Sequence, residues 1–537
     1  MSVALEENSS PNKHRYARIV ALVTVLFALA VILSAAAISL YYASPMPRTW
    51  DEVDFVLALD RYDLLAMQPH FPGYPYFILG GWLAHQGIAN PAQALSVFNT
   101  VAGLSAAVPM ALLARRLTQS EGGAAASLLL PALVLTSPYV WLMASRPMSE
   151  AAGLAALWWF LWSVRRAMDR PESLRRHFWP LFLFSGLMGI RLSFFPFGLL
   201  LLPLWLGLWQ RNRKRSHRGW KLLLSLAMAM LLQLVWVAGL VLSEGTLFGF
   251  WKLAMAFVEG HFSEWGGGVV SIPMSLHERI IRLFAHNLAG SALLCGSVWV
   301  GCLFVCLLAL LIGAVLTKRS GSGARGAEPS PSAHEGQSHQ INRHYWIWLA
   351  ASVLLYGLWA LLGQNIEKPR HIVPVVAPIL LAVHVFTVRT AQAISHGRTQ
   401  KLAAALYAAL AVLIAAQWLY GAPLQKRQAV EEPAVYQLHR YVDAMQQPLI
   451  LFTWEETRLL QYVGATYEHR RIYTFGYFQA LANADPHRTV LLTDHVLKGF
   501  EQEGKSVGEH VRKIAEFHSD PRFEPVYGNI ALYEWIR

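Results

Sequence analysis

Apolar residues along this chain come in runs of about twenty, separated by short clusters of arginine and lysine. Twenty is the length that carries a helix across a bilayer core of roughly 30 Å. Such runs predict spans over residues 19–41, 92–113, 123–143, 149–164, 222–243, 288–316, 345–362, 372–388 and 402–420. Residues 179–210 are too many for one straight crossing, and a tight hairpin turning near Arg191-Leu192-Ser193 brings the total to about eleven. Residues 72–84 are apolar but short and interrupted by Pro75 and two glycines, which predicts an interfacial or re-entrant helix.

The basic clusters decide the orientation. If 72–84 does not cross, then Arg115–Arg116, Arg165 to Arg176, Arg211 to Arg218, Lys318 to Arg325 and Arg398 to Lys401 all fall on the side of the basic N-terminal tail, 1–18. Positive-inside bias makes that side cytoplasmic, and counting 72–84 as a span would reverse the whole series. The expected organisation is a cytoplasmic tail 1–18 and a polytopic domain 19–420. That domain holds a first outer loop 44–91, an outer loop 244–287 and a cytoplasmic linker 318–343, Ser/Gly/Pro-rich over 320–339 and expected to be disordered. An extracytoplasmic domain 421–537 follows, against which Lys426 and Arg427 are a minor exception. The expected location is the plasma membrane.

Composition agrees: 55% of the 537 residues are hydrophobic and only 15% charged, too apolar for an ordinary soluble domain. The net charge of +12 sits in the clusters between spans, which argues against nucleic acid as a partner. Cys295, Cys302 and Cys306 share one apolar run and read as small core residues. From residue 421 the pattern changes. Short apolar segments at 448–452, 471–475 and 488–492 alternate with helical stretches, predicting a small α/β domain. It carries no glycine-rich phosphate loop or nucleophile elbow, so a structural or acceptor-positioning role is expected.

Candidate chemistry concentrates in the first outer loop. Asp51, Glu52, Asp54, Asp60 and Asp63 follow the first span directly, ahead of the rigid block Pro69-His70-Phe71-Pro72-Gly73-Tyr74-Pro75. If Asp51 opens a helix, Asp54 shares its face. Neighbouring carboxylates and desolvation at the membrane edge then predict a raised pKa suited to a general base. Acidic residues complementing a helix dipole are the plainer alternative. His70 and Tyr74 could wall a pocket and donate to a phosphate or sugar hydroxyl. A second constellation, Glu367-Lys368-Pro369-Arg370-His371, opens a late span on the same face, where two cations and a histidine suit a lipid phosphate or simply anchor a headgroup. Arg191, Arg146 and Glu150 fall at neighbouring outer helix ends. In loop 244–287, Gly266 to Gly268 suggest a hinge for a flap or an ordinary connection, and His261 with Glu264 is a weak metal pair.

Three short motifs carry a resemblance: Asp51-Glu52 after the first span, the proline block before the second, and Arg370-His371-Ile372-Val373-Pro374 at a late one. With these, the chain resembles the GT-C membrane glycosyltransferases, especially the protein O-mannosyltransferase and aminoarabinose-transferase-like group (glycosyltransferase family 39-like), over roughly 15–420. The proline block departs from that group's pattern in having Phe71 where a further proline is expected. The resemblance implies a sugar taken from a polyprenyl-phosphate or diphosphate carrier, usually with inversion, and an acceptor glycan, lipid or protein. It implies Asp51 as general base, Glu52 or Asp54 orienting base or acceptor, and Arg370 neutralising the departing phosphate with Lys368 and Arg191. His70, Tyr74 and His371 complete the substrate-binding set. No cofactor is required, although clustered acids are able to hold Mg²⁺ or Mn²⁺ through oxygen.

Two other classes compete. A polytopic transporter or lipid flippase would suit the broken 179–210 segment, but ionisable residues near the midplane and internal repeats are its usual signs, and neither is evident. A non-catalytic assembly subunit would use the C-terminal domain to recruit a partner.

Overall fold

The computed structural model describes residues 11–118, 124–211, 218–270, 272, 274–322, 333–395, 399–484 and 487–536. Among these residues, eight helices are long and apolar enough to cross a membrane, or up to nine if the bent pair Ala124–Leu135 and Pro138–Ala144 counts as one span. Glu150–Ala167 and Leu174–Ile190 pack beside each other and within this bundle. The first begins on an acid and ends on Arg165 and Arg166, and the second is 17 residues long. The expected hairpin turn falls on Arg191, whose extended backbone separates Leu174–Ile190 from a 3-10 segment, Leu192–Leu201.

Helix α1 (Pro11–Tyr41) already includes part of the expected tail, residues 1–10 of which lie outside the described residues. The short helix after the proline block, Pro75–His85, has 11 residues, about half a crossing length. The expected linker differs at both ends: neighbouring helices extend to Ser322 and start again at Ala333, while 323–332 lie outside the described residues. Polar Gly/Ser composition loses to continuation of an established helix, where each further residue adds a hydrogen bond without a new nucleus. Cys295 is buried, but Cys302 and Cys306 face outward from Val298–Ser322 and are not core residues. On a helix with only one side packed, apolar composition does not distinguish the packed side from the outward one.

The C-terminal domain is a five-stranded sheet with order β2-β1-β3-β5-β4. Strands β1 (Leu449–Thr453), β2 (Glu468–Arg471) and β3 (Thr489–Thr493) are parallel, and β4 (Val511–His518) and β5 (Asn529–Trp535) add an antiparallel edge. The expected strand at 471–475 lies earlier. The polar Glu-His-Arg-Arg segment forms the edge strand, which tolerates polar side chains, while Ile472 enters the core and Phe475 opens a helix. Sequence patterning also misses β4 and β5, because only Phe517, Ile530 and Leu532 among their residues are buried, too few to make an apolar run.

This domain docks on one end of the bundle. Fully buried Arg48 donates to Glu524 Oε1 at 2.7 Å and to Gln428 O at 2.6 Å, with the Phe523 ring beneath its guanidinium. Phe523 itself packs into the membrane-helix core. Arg427 pairs with Glu431 at 3.0 Å and Asp520 at 3.1 Å, so this basic exception is used for docking.

Candidate active site

Helix α2 (Trp50–Leu57) carries the three acids. Thr49 caps it, with Glu52 completing a capping box, which satisfies N–H groups that would otherwise lack partners. Glu52 faces away from solvent: Oε2 accepts from the Arg48 N–H at 2.5 Å and the Thr49 N–H at 3.2 Å, and Oε1 accepts from Arg146 Nε at 2.7 Å. Arg146 also donates to Phe523 O at 2.7 Å. Glu52 therefore joins helix start, bundle and C-terminal domain.

Asp54, two positions on, is also fully buried. Its carboxylate faces His70 Nδ1 at 3.1 Å and accepts from Arg458 Nε of the C-terminal domain at 2.8 Å. The other His70 nitrogen meets the Tyr74 hydroxyl at 3.1 Å. Tyr74 caps the helix Pro75–His85 in the left-handed backbone region, a conformation that costs a non-glycine residue about 1–2 kcal/mol. The Phe55 ring packs against both His70 and Tyr74 and helps to offset this. The peptide bonds Gln68-Pro69 and Phe71-Pro72 are both cis. Gly73 has φ +86°, and a Cβ there would meet the Tyr62 hydroxyl at 2.5 Å, so both conformation and space require glycine.

Asp51 is the acid that reaches open space. It lines a cavity of about 430 Å³ together with His70, Tyr74, Arg191, Lys368, Arg370 and His371. Its Oδ2 accepts from Arg370 Nη2. Arg370 lies 3.2 Å from Glu150 Oε1, and Arg191 lies 2.9 Å from that same oxygen. Arg191 also donates to Ser149 Oγ at 2.7 Å. Glu150 is thus buried between two guanidiniums, one of which it shares with Asp51. Three helix ends distant in sequence meet here: the start of Glu150–Ala167, the end of Leu174–Ile190 and the turn Pro369–Ile372.

The electrostatics differ from the sequence expectation. Burial pushes Asp51 upward, but the Arg370 guanidinium, aided by Lys368, His70 and His371, outweighs it and holds the carboxyl well below the usual range. The raised acid is Asp54, where burial exceeds the attraction of His70 and Arg458. Sequence spacing sees neighbouring acids on a helix, whereas the guanidinium comes from more than three hundred residues away. Burial raises the Tyr74 hydroxyl, which stays protonated as a donor.

All nine nominated residues come to one end of the bundle. Seven line the cavity, while Glu52 and Asp54 sit behind that wall. Sequence reasoning placed Glu150 and Arg146 at the mouth without assigning their partners. It missed Arg458, Glu455 and Arg471 of the C-terminal domain, the last two of which line the cavity. No spacing rule connects those residues to α2. The remaining wall is largely apolar and includes Phe195, Phe257, Val258, Phe262 and Trp359. His261 also lines it and meets Gly363 O at 2.6 Å, whereas Glu264 is exposed. Gly266 to Gly268 pack closely: a Cβ on Gly268 would lie 2.9 Å from Leu362 O. Fully buried Arg279 donates to Leu361 O at 3.1 Å and Gly267 O at 3.2 Å, pinning this connection to a helix end. Among the described residues, no three His, Cys, Asp or Glu side chains converge as a metal ion requires.

No protein-family model and no curated protein matches the chain. Solved structures do. ArnT from Cupriavidus metallidurans bound to undecaprenyl phosphate superposes with a TM-score of 0.50 at 12% identity, covering 95% of this chain and 97% of that one. The same protein in the apo state gives 0.51 at 11% identity, covering 94% and 97%. Archaeoglobus fulgidus oligosaccharyltransferase, in complex with Zn and sulfate, is more distant, with a TM-score of 0.43 at 11% identity over 86% of this chain and 67% of that one. The ArnT match takes in both the apolar helices and the C-terminal sheet, and the chain is a multi-pass membrane protein with the GT-C fold.

Proposed function

We propose that the protein is an integral-membrane glycosyltransferase. In this reading it takes a sugar from a polyprenyl-phosphate or diphosphate carrier and transfers it, with inversion, to a hydroxyl of an acceptor glycan, lipid or protein. The reaction is assigned to the extracytoplasmic face of the plasma membrane, the side opposite the basic clusters. The observation that carries the reading is the Asp51–Arg370–Glu150–Arg191 array at a cavity whose remaining lining is largely apolar. Such a cavity suits a ligand with an anionic head and a hydrocarbon tail, and undecaprenyl phosphate, which the C. metallidurans ArnT binds, is of that kind.

Lys368, Arg370 and Arg191 would hold the carrier phosphate, with arginine providing the better fork for its oxygens. A phosphate competing for Arg370 loosens its hold on Asp51, whose carboxyl then rises toward ordinary values and gains basicity. As the acceptor oxygen bonds to the anomeric carbon, its proton passes to Asp51. The anomeric carbon–oxygen bond to the carrier breaks, and the electron pair leaves with the phosphate, which the cations stabilise. Asp54 orients His70, and His70 with Tyr74 faces the sugar. Glu52 fixes the start of the helix that carries the base. Asp51, Glu52 and Asp54 are each turned to a different arginine rather than to one another, an arrangement that does not form a Mg²⁺ or Mn²⁺ cage, and no step here uses one.

The test is transfer from radiolabelled polyprenyl-phosphate sugars in membranes containing the full chain. Loss of transfer in both Asp51→Asn and Arg370→Ala variants supports the mechanism, and unchanged transfer removes it.

A further inference from the structure

The cavity holds more cationic groups than the proposed donor reading uses. Of the two acids lining it, Asp51 is committed to Arg370, and Glu455 stands near the Tyr527 hydroxyl, which burial and this carboxylate keep protonated. Four full cations line it: Arg191, Lys368, Arg370 and Arg471. Arg191 and Arg370 are paired with acids, and Lys368 precedes Arg370 in the chain with Pro369 between them. Arg471 is different. It ends the edge strand β2 of the C-terminal domain and forms no ion pair among the described residues. Aromatic rings hold it instead: its guanidinium lies 4.4 Å from the Trp454 ring, 4.9 Å from Tyr473 and 5.0 Å from Trp50. Its Nε is buried without a hydrogen-bond partner.

Aromatic faces stabilise a cation without consuming its N–H donors. They also restrict its motion, so less freedom is lost when an anion binds. One of the rings is Trp50, immediately before Asp51, which places this cation beside the proposed base. We propose that Arg471, clasped by Trp50, Trp454 and Tyr473, forms a second oxyanion subsite that takes a phosphate or carboxylate carried by the acceptor. This rests on the glycosyltransferase reading and specifies its acceptor: an anionic molecule presented from the C-terminal domain, with its hydroxyl directed at Asp51.

The test uses full-length protein in nanodiscs saturated with undecaprenyl phosphate, which occupies the donor cations. Glucose 6-phosphate and glucose are titrated by calorimetry into wild type, Arg471→Gln and Arg471→Lys. The expected result is saturable binding of the phosphorylated sugar, weakened about tenfold in Arg471→Gln, partly restored in Arg471→Lys, and much weaker for glucose. Equal affinity in wild type and Arg471→Gln, or glucose binding as well as its phosphate, overturns the subsite. If Arg471→Gln instead weakens binding of undecaprenyl diphosphate and spares glucose 6-phosphate, the anion belongs to the donor and the acceptor assignment falls. Repeating the glucose 6-phosphate titration without lipid in an Arg370→Ala background separates the two proposals. Binding that persists there while undecaprenyl phosphate binds neither protein keeps the Arg471 subsite and rejects the donor reading.

Discussion

Arg370 divides its guanidinium between Asp51 at the cavity and Glu150 behind it, so neutralising either acid should shift the other's share of the charge. Asp51→Asn removes the proposed proton acceptor and releases a cation. Transfer should fall by about 10²–10⁴-fold, while undecaprenyl phosphate binding is retained or tightened, as measured by single-turnover transfer alongside lipid binding. Glu52, the adjacent residue, should behave in the opposite way. Its carboxylate is buried against Arg146, and Glu52→Gln leaves that guanidinium without its charge partner, a loss of about 3–5 kcal/mol. A clear fall in Tm of the nanodisc-embedded protein, with a larger fall than Asp51→Asn causes, checks the distinction. Adjacent acids in Asp51-Glu52 look equivalent in a sequence. On a helix they point about a quarter-turn apart, and here one reaches a cavity while the other faces a packed interior.

At the scale of elements, α2 was read only conditionally, as a helix opened by Asp51, although Thr49 and Glu52 form a capping pattern local enough to be found in the sequence. The proline block, equally local, was legible as irregular backbone. What could not be read was a contact such as Asp54 with Arg458, which links α2 to the helix Glu456–Tyr462. The C-terminal domain contains a further linked pair. Glu456, at the start of that helix, meets His495 Nδ1 at 2.5 Å. Burial pulls His495 down, but the bond and charge of Glu456 outweigh it and raise its pKa. Burial pushes Glu456 up, and His495 lowers it overall. The raised histidine contributes stability that is complete below its unfolded value near 6.5 and is lost as pH rises through its folded value. The lowered glutamate contributes above its unfolded value near 4.5 and loses that contribution as pH falls through its folded value. The pair is therefore strongest between those two unfolded values. Thermal unfolding followed from about pH 6 to about pH 8 should show declining stability that is reduced in His495→Asn.

Across the whole molecule, the C-terminal domain is part of the cavity rather than an appendage. It contributes Glu455 and Arg471 to the lining, reaches α2 through Arg458, and is latched to the bundle by Arg48 with Glu524. Burial raises the Glu524 carboxyl even against the lowering influence of Arg48. Arg48→Met leaves that acid in the interface without its cation, at a cost of about 3–5 kcal/mol if it stays charged. Limited proteolysis should then release the C-terminal domain faster than from wild type, and transfer should fall together with intact domain contact. Release at the wild-type rate would show that the latch adds nothing to docking.

Local chemistry in the chain was enough to specify several features. Twenty-residue apolar runs required membrane-length helices, because backbone polar groups in hydrocarbon must be satisfied internally. The change of pattern after residue 420 announced an α/β domain, and the acids and cations at helix ends marked where charge is concentrated. Tertiary structure alone decided how those charges are used. It paired Asp51 with Arg370, buried Glu52 and Asp54 behind the wall, placed Glu150 between two arginines and brought Arg471 to the cavity. Periodicity and capping act over a few residues, whereas the energy of an ion pair depends on a distance in space that the sequence does not contain.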